Sequence, residues 1–482
     1  MKPTVLILSF IFFCSTSAQI TFERSYETLN DNRSNTVLQT SDNHFVMAGY
    51  IEVSGTDQDI YLIKTDEYGD TVWTRTYARQ WTEIPEVMLE MADNNYLLAG
   101  HAVTRTGPSV MDVLLMKITP DGDLIWTKTI GVLDDDEQIY DMQPTADGGY
   151  ILCGQYDEGF ANIYYYLLKI NANGDSLWSM TYNPAAGDQA RGRGVVVTDD
   201  QNYVIAGYVN RDNDNFAHVV QLDLSGEAVW SQTWNFEGAE YLSDIEKTKD
   251  NGFIVGGYTN SIGAGNLDYF LIKTDNVGDS LWTRTYGGTS SEFCYVVEQT
   301  ADEGYIMAGY GFSFGHGSLD CYMVKTNSDG DTLWTRSYGG SHQDDAYDLK
   351  LTSDGGYVLA GGTYSFGFGL NSYLLKTNGE GMVTAVSDDI VTCPRNFYLG
   401  QNYPNPFNPT TKINYELRMI NYVNLSIYNL LGQKVATLVN EKKQAGYHLI
   451  EWNASEYPSG VYIYRITTDN GFTDSKKLLL LR

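Results

Sequence analysis

The sequence predicts an all-β protein, a seven-bladed β-propeller of four-stranded blades followed by a small β-sandwich. One unit of about 52 residues recurs seven times between Phe22 and Ala385. A Trp closes six of the units, at Trp73, Trp126, Trp178, Trp230, Trp282 and Trp334. No segment carries sustained helical periodicity, so the repeat is a stack of sheets.

Within one unit the elements follow from composition. Between Ser291 and Gly340, strands are expected at Phe293 to Thr300, Tyr305 to Tyr310, Cys321 to Thr326 and Thr332 to Tyr338. Each is rich in Tyr, Val, Ile, Leu and Thr and is bounded by Gly, Asp, Asn or Ser. Four antiparallel strands in about 50 residues make one propeller blade. An Asp opens the first hairpin turn in every copy (Asp42, Asp93, Asp147, Asp200, Asp250, Asp302, Asp354), as a turn with positive φ requires. The Asp lacks the alternating ligand spacing of a calcium loop, so turn formation is the expectation. The second strand ends in a small residue and Gly, as at Ala308-Gly309, which suits close approach of neighbouring sheets.

Closure also has a sequence signal. Ile20 to Tyr26 matches the Trp strand with Phe22 in the Trp place, yet it precedes the first complete blade. It is therefore expected to supply the outer strand of the last blade and remove an exposed edge. A weaker copy, Met382 to Val386, lacks the aromatic and competes for that place.

The chain begins with Lys2, an apolar run from Val5 to Phe13 and small residues up to Ala18. This reads as a secretory signal, residues 1–18, cut between Ala18 and Gln19. Acylation at Cys14 is the alternative, and bulky Phe13 opposes it. No other run is long enough to span a bilayer as a helix. Residues 1–397 carry 22 Lys+Arg against 55 Asp+Glu, while 398–482 carry 9 against 6. The charge shift marks a boundary, giving a propeller over 19–386, a linker over 387–396 and a second domain over 397–482. Acidity of this degree argues against nucleic acid as a partner. The cysteines show neither metal nor disulfide-framework spacing, and Cys153, Cys294 and Cys321 are expected as buried apolar groups.

Candidate binding groups fall on the connections that vary between copies. Ten residues before the hairpin Asp stand Glu83, Glu137, Glu240, Glu292 and Asp344, with Asn32 and Ala190 in the other two copies. If the innermost strands begin there, the five carboxylates ring one mouth of the channel. Such a ring suits a cation, Ca2+ included, or a polycationic ligand, whereas the plainer reading has each carboxylate bonding a neighbouring loop. The loops 313–317 and 365–369 add Phe314, Phe366 and Phe368, as exposed aromatics or as loop anchors. No other cofactor is evident. The six His form no H-E-x-x-H motif, and no G-x-S-x-G elbow exists, so no catalytic residue is assigned.

The D-x-x-G-x-x-x-W spacing that joins the third strand to the Trp strand resembles the docking motif of quinoprotein-type propellers. That resemblance implies Trp packing between blades and carries no active-site set. In the tail, Tyr403 to Pro409 (with Pro404, Asn405, Pro406 and Phe407), Ile427 to Val435 (with Gly432), Ser459 to Tyr462 (with Gly460) and the basic, Leu-rich end with Lys476 and Lys477 closely resemble the type A C-terminal sorting domain of the type IX secretion system. Membership implies an immunoglobulin-like sandwich, periplasmic transit and passage through the outer membrane. It also implies the type IX translocon and a sortase-like peptidase as partners, with the body released or attached to the surface. The propeller is then expected to bind a glycan, peptide or surface polymer. A glycan lyase or hydrolase and a structural matrix component are the alternatives.

Overall fold

The computed structural model describes residues 19–383 and 398–481, except 55–56, 80, 105–109, 133, 160–161, 401, 403, 418–420, 444–445 and 470. The leader with Ala18, the 387–396 linker, Cys14 and Cys393 lie outside the described residues. Every regular element among the described residues is a strand. Seven four-stranded antiparallel sheets follow one another along the chain. The sixth comprises Glu292–Gln299, Tyr305–Gly311, Asp320–Thr326 and Thr332–Tyr338, within one residue of the sequence expectation.

The seventh blade draws its outer strand from the other end of the chain. Asp344–Leu351, Tyr357–Thr363 and Asn371–Thr377 are completed by Phe22–Tyr26, which pairs antiparallel with Asn371–Thr377, Phe22 opposite Lys376. The first strand of each blade neighbours that of the next, and the seventh neighbours the first, so the blades form a ring. The seam where the ring closes resembles the others. Asp348 of blade 7 accepts from Val37 N of blade 1 at 2.9 Å, as Asp141 accepts from Val195 N and Asp244 from Val297 N, each at 2.9 Å.

Aromatic docking ties the outer rims together. The turn glycine of each D-x-x-G segment has positive φ, 80° at Gly330, and a side chain there would collide with the Trp282 ring of the preceding blade. Trp334 sits in the same way against Gly381, and Phe22 against Gly69. Tyr286 and Tyr26 donate hydroxyl bonds to the carbonyls of Gly330 and Gly69 at 2.7 and 2.8 Å. Phe22 thus fills the Trp position with a smaller ring and the same geometry.

The hairpin Asp forms its turn and also satisfies a buried amine. Asp302 accepts from Gly304 N at 3.2 Å and lies 3.0 Å from Lys325 Nζ, a side chain only 4% exposed. The same Lys–Asp pair recurs in five other blades, and blade 4 has Gln221 in place of the Lys. Burying an ammonium requires such a partner.

The small residue of the small-Gly signal packs against the next blade as expected, Ala308 with Ala346 and Leu349, but the Gly has a different cause. Each first strand carries a β-bulge, between Cys294 and Val296 in blade 6, and the facing Gly accommodates it. A Cβ at Gly309 would stand 1.9 Å from the Phe293 carbonyl oxygen of its own blade. Intra-blade crowding, rather than contact between sheets, demands the glycine.

The tail is a separate β-sandwich. One sheet holds Tyr398–Leu399, Thr410–Leu417 and Gly446–Asn453; the other holds Asn421–Asn429, Lys434–Lys443, Gly460–Thr468 and Thr473–Leu480. Ile413, Tyr415 and Trp452 of the first meet Leu425, Ile427, Tyr464 and Ile466 of the second in one apolar core.

Phe22→Ala removes the ring from the closing seat and is expected to destabilise the propeller by about 3–5 kcal/mol. Deleting residues 19–27 should lower the melting temperature further, by many degrees, in a thermal unfolding series followed by circular dichroism. An unchanged melt would show that the ring closes by some other contact.

Candidate functional site

The five carboxylates stand at the start of first strands, where spacing placed them, but they point into the protein. Glu83, Glu137, Glu240, Glu292 and Asp344 are 1% exposed or less. Glu292 accepts from Gly288 N at 2.8 Å and Ser313 N at 3.1 Å; Asp344 accepts from Gly340 N at 2.7 Å and Ser365 Oγ at 2.5 Å. Glu137 takes Val132 N at 3.0 Å, and Glu240 takes the hydroxyls of Ser261 and Thr259. In blade 1 Asn32 does the same work for Ser372 N at 2.9 Å. These groups fasten the connections arriving from neighbouring strands. Among the described residues, no three His, Cys, Asp or Glu side chains converge as metal ligands would.

Two of the three loop phenylalanines are anchors. Phe314 stacks on Tyr322 with centroids 4.9 Å apart, and Phe366 on Tyr373 at 6.1 Å. Phe368 projects, 60% exposed, while its backbone N–H donates to Glu27. His218 is wholly buried between Tyr165 and Ser231, in the register that Phe270 occupies in the next blade.

Glu83 borders a cavity. A pocket of about 400 Å³ opens at the end of blade 2, lined by Arg79, Trp81, Glu83, Thr104, Asp112 and Thr129, with Val103 and Gly131. All belong to the variable connections or to the strand ends beside them. Arg79 Nη2 donates to Thr129 Oγ1 at 3.2 Å, and Thr104 Oγ1 donates to Asp112 Oδ2 at 2.6 Å. Glu83 Oε2 and Asp112 Oδ1 are buried without a hydrogen-bond partner. Arg79, Trp81 and Asp112 escaped the repeat analysis, which weighs what recurs. Trp81 carried the available signal, since it stands off the 52-residue Trp period.

Burial pushes the carboxyls of Glu83 and Glu137 up to about 8, with Arg79 and the Val132 amide pulling the other way. Between the unfolded value near 4.5 and that point, the folded state holds protons that the unfolded state releases, so these groups weaken the fold as pH rises. His101 and His218, pushed down by burial to about 4 and about 3, act in the opposite sense, but only up to their ordinary value of 6.5. Stability is therefore expected to fall from pH 6.5 to 8, by at most about 1.4 kcal/mol per pH unit for each carboxyl. Denaturant midpoints across this range test it, and Glu137→Gln should flatten the slope.

In the tail, motifs far apart in sequence meet. Asn405 receives Leu479 N at 2.9 Å and donates to the Lys477 carbonyl at 3.2 Å. Phe407 lies buried against Trp452 and exchanges backbone bonds with Leu479 and Leu481. Pro404 accepts from Thr411, the Asn405–Pro406 peptide is cis, and Gly432 turns the chain with φ 77°. Gly460 opens the strand that pairs with the last one, where Lys476 and Lys477 face Tyr464 and Ile463.

Comparison with known proteins agrees with this end of the chain. Residues 401–480 match the family described as secretion system C-terminal sorting domain. Comparison with curated proteins finds no match. Among solved structures, the chain is similar to Sqt1 from Chaetomium thermophilum (11% identity, TM-score 0.42, 69% of this chain and 80% of that one). It is also similar to PorZ, a surface component of the type IX secretion system of Porphyromonas gingivalis (10%, 0.30, 94% and 82%), and to a protein of unknown function from Dyadobacter fermentans (13%, 0.41, 74% and 99%). Likenesses this distant assign no function to the propeller. Residues 401–480 are a secretion system C-terminal sorting domain of the type IX kind, which makes this a secreted or outer-membrane-attached propeller protein.

Proposed function

We propose that the exported propeller is a binding module for a hydroxyl-rich, glycan-type ligand, received in the pocket at the end of blade 2. The carrying observation is the combination there of Trp81, Arg79 and two carboxyl oxygens that lack protein partners, in a cavity of about 400 Å³. Buried polar atoms normally have partners, and a ligand hydroxyl supplies what these lack. An aromatic side chain gives a sugar ring an apolar face to lie on, while Arg and Thr groups fix its orientation. Glu83, protonated at neutral pH because burial raises it to about 8, is able to donate to a sugar oxygen. In this reading the sortase-like peptidase severs the tail within 387–396, leaving residues 19–386 as the working part.

One observation also favours glycan cleavage as a second reading. Glu83, held protonated by burial, lines the same pocket as the Asp112 carboxyl, and two carboxyls are what glycoside hydrolysis uses. New reducing ends, produced by the parent and lost in Glu83→Gln, would distinguish it from binding alone.

A glycan array probed with the full chain tests the proposal. Binding should fall about tenfold or more in Trp81→Ala, the size expected for loss of a central aromatic anchor, with an unchanged melting temperature. An array without a binder, or a Trp81→Ala protein that binds as the parent does, would overturn it.

A further inference from the structure

The axis of the propeller carries a second set of groups, independent of the blade 2 pocket. The bulge in each first strand turns one residue out of the alternating pattern. At that place stand Glu86, Tyr140, Arg193 and Tyr347 in blades 2, 3, 4 and 7. Aromatic contacts run from Tyr208 through Tyr241, Tyr258, Phe293 and Tyr310 to Tyr347, with successive centroids 4.9 to 6.1 Å apart. These side chains, on the first and second strands of their blades, remain half-buried because they border the axis.

Two guanidinium groups sit in this tyrosine lining. Arg193 lies 3.9 Å from the Tyr140 ring centroid and donates to Tyr208 Oη in a long 3.5 Å contact. Arg33 lies 4.3 Å from the Tyr347 centroid, donates to Tyr347 Oη at 2.9 Å and leaves Nε without a partner. Among the described residues no carboxylate comes within 4.0 Å of either. In a chain of net charge −30, arginines without ion pairs in a half-buried place hold unused donors.

We propose that the axial channel is a binding site for the carboxylate of an acidic, uronate-type sugar, with Arg33 and Arg193 as its anion-recognising groups and the tyrosine rings facing the pyranose. Guanidinium groups match carboxylate geometry, and rings with one polar edge suit a ligand with both apolar and hydroxylated faces. The strongly acidic exterior repels a long polyanion, so the ligand is a short acidic saccharide or a chain end. Glu86 competes for both arginines while ionised. Its neighbours are His101 of its own blade (3.9 Å), Tyr140, Arg193 and Arg33, and burial pushes its carboxyl up to about 7. Asp345, beside Arg33, is pushed up to about 6. His101, held near 4, stays neutral. Uronate binding therefore weakens from pH 6 to pH 8 as the two carboxyls ionise.

Calorimetry with the full chain and digalacturonic acid, against its neutral methyl ester, tests the site. The acid should bind saturably, at least about tenfold more tightly than the ester, which corresponds to roughly 1.4 kcal/mol. Arg33→Gln and Arg193→Gln should each weaken it by a similar factor, and Trp81→Ala should leave it unchanged. Should the arginine variants fail to fold, Glu86→Gln decides: its affinity at pH 8 should rise toward the parent's pH 6 value, with the remaining pH dependence left to Asp345. No saturable binding up to about 10 mM, equal binding of the ester, loss of binding in Trp81→Ala, or a Glu86→Gln protein as pH-sensitive as the parent would each overturn the proposal.

Discussion

The fold depends on an aromatic ring seated on a left-handed glycine of the next blade. A blade exposes its outer strand along one rim, and an open sheet edge invites further pairing. The ring of Trp282 covers the Gly330 turn and the tyrosine four residues later bonds the same glycine's carbonyl, a pair that recurs at Phe22 and Tyr26, Trp73 and Tyr77, and Trp334 and Tyr338. Since the turn glycine has positive φ, any side chain there is strained as well as obstructed. Each contact is local to two blades, so the arrangement is a one-dimensional stack with nearest-neighbour coupling. Pairing of Phe22–Tyr26 with Asn371–Thr377, and the Val37–Asp348 bond across the same seam, join the chain's two ends and turn a stack into a ring.

Much of this architecture was legible because it repeats. The 52-residue period fixed the number of blades, and the strand limits of blade 6 agree to within a residue. The LWTRTY-like segment at Ile20 to Tyr26 disclosed the closing strand before any contact was known. Directions of side chains were less legible. Spacing located Glu292 and Asp344 at the head of an inner strand but not whether they face the channel or the loop, and the loop amides claimed them. The bulge is the physical reason: it breaks the alternation on which an inside-outside reading of a strand rests, and it is marked only by the glycine opposite. For the same reason Glu86 and Arg193 drew no notice in sequence.

The acidic residues divide by the company they keep. Those of the hairpin turns are held below their usual range wherever a lysine faces them, as at Asp147, lowered to about 2 by Thr145, Lys169 and the Gly149 amide. Those at the heads of inner strands have amides and hydroxyls for partners, and Glu137, fully buried, retains its proton at neutral pH. Glu83 and Glu137 therefore act as neutral hydrogen-bonding groups, adding little to the field of the protein. The surface Asp and Glu residues carry the formal charge, and they set the potential through which any ligand approaches.

That potential bears on how an exported acidic protein acquires selectivity. At physiological salt the field of surface charges decays over about 8 Å, so a polyanion is resisted along its length while a small solute meets only local groups. Arg33 and Arg193 stand on tyrosine rings instead of in ion pairs, which leaves their charge available at the axis. Cation–π contact stabilises a guanidinium without consuming its in-plane N–H donors, whereas a carboxylate partner would occupy them. The same sequence feature that makes the exterior acidic thus gives the two unpaired arginines their meaning, since with 61 Asp and Glu side chains in the chain a partner for each was readily available.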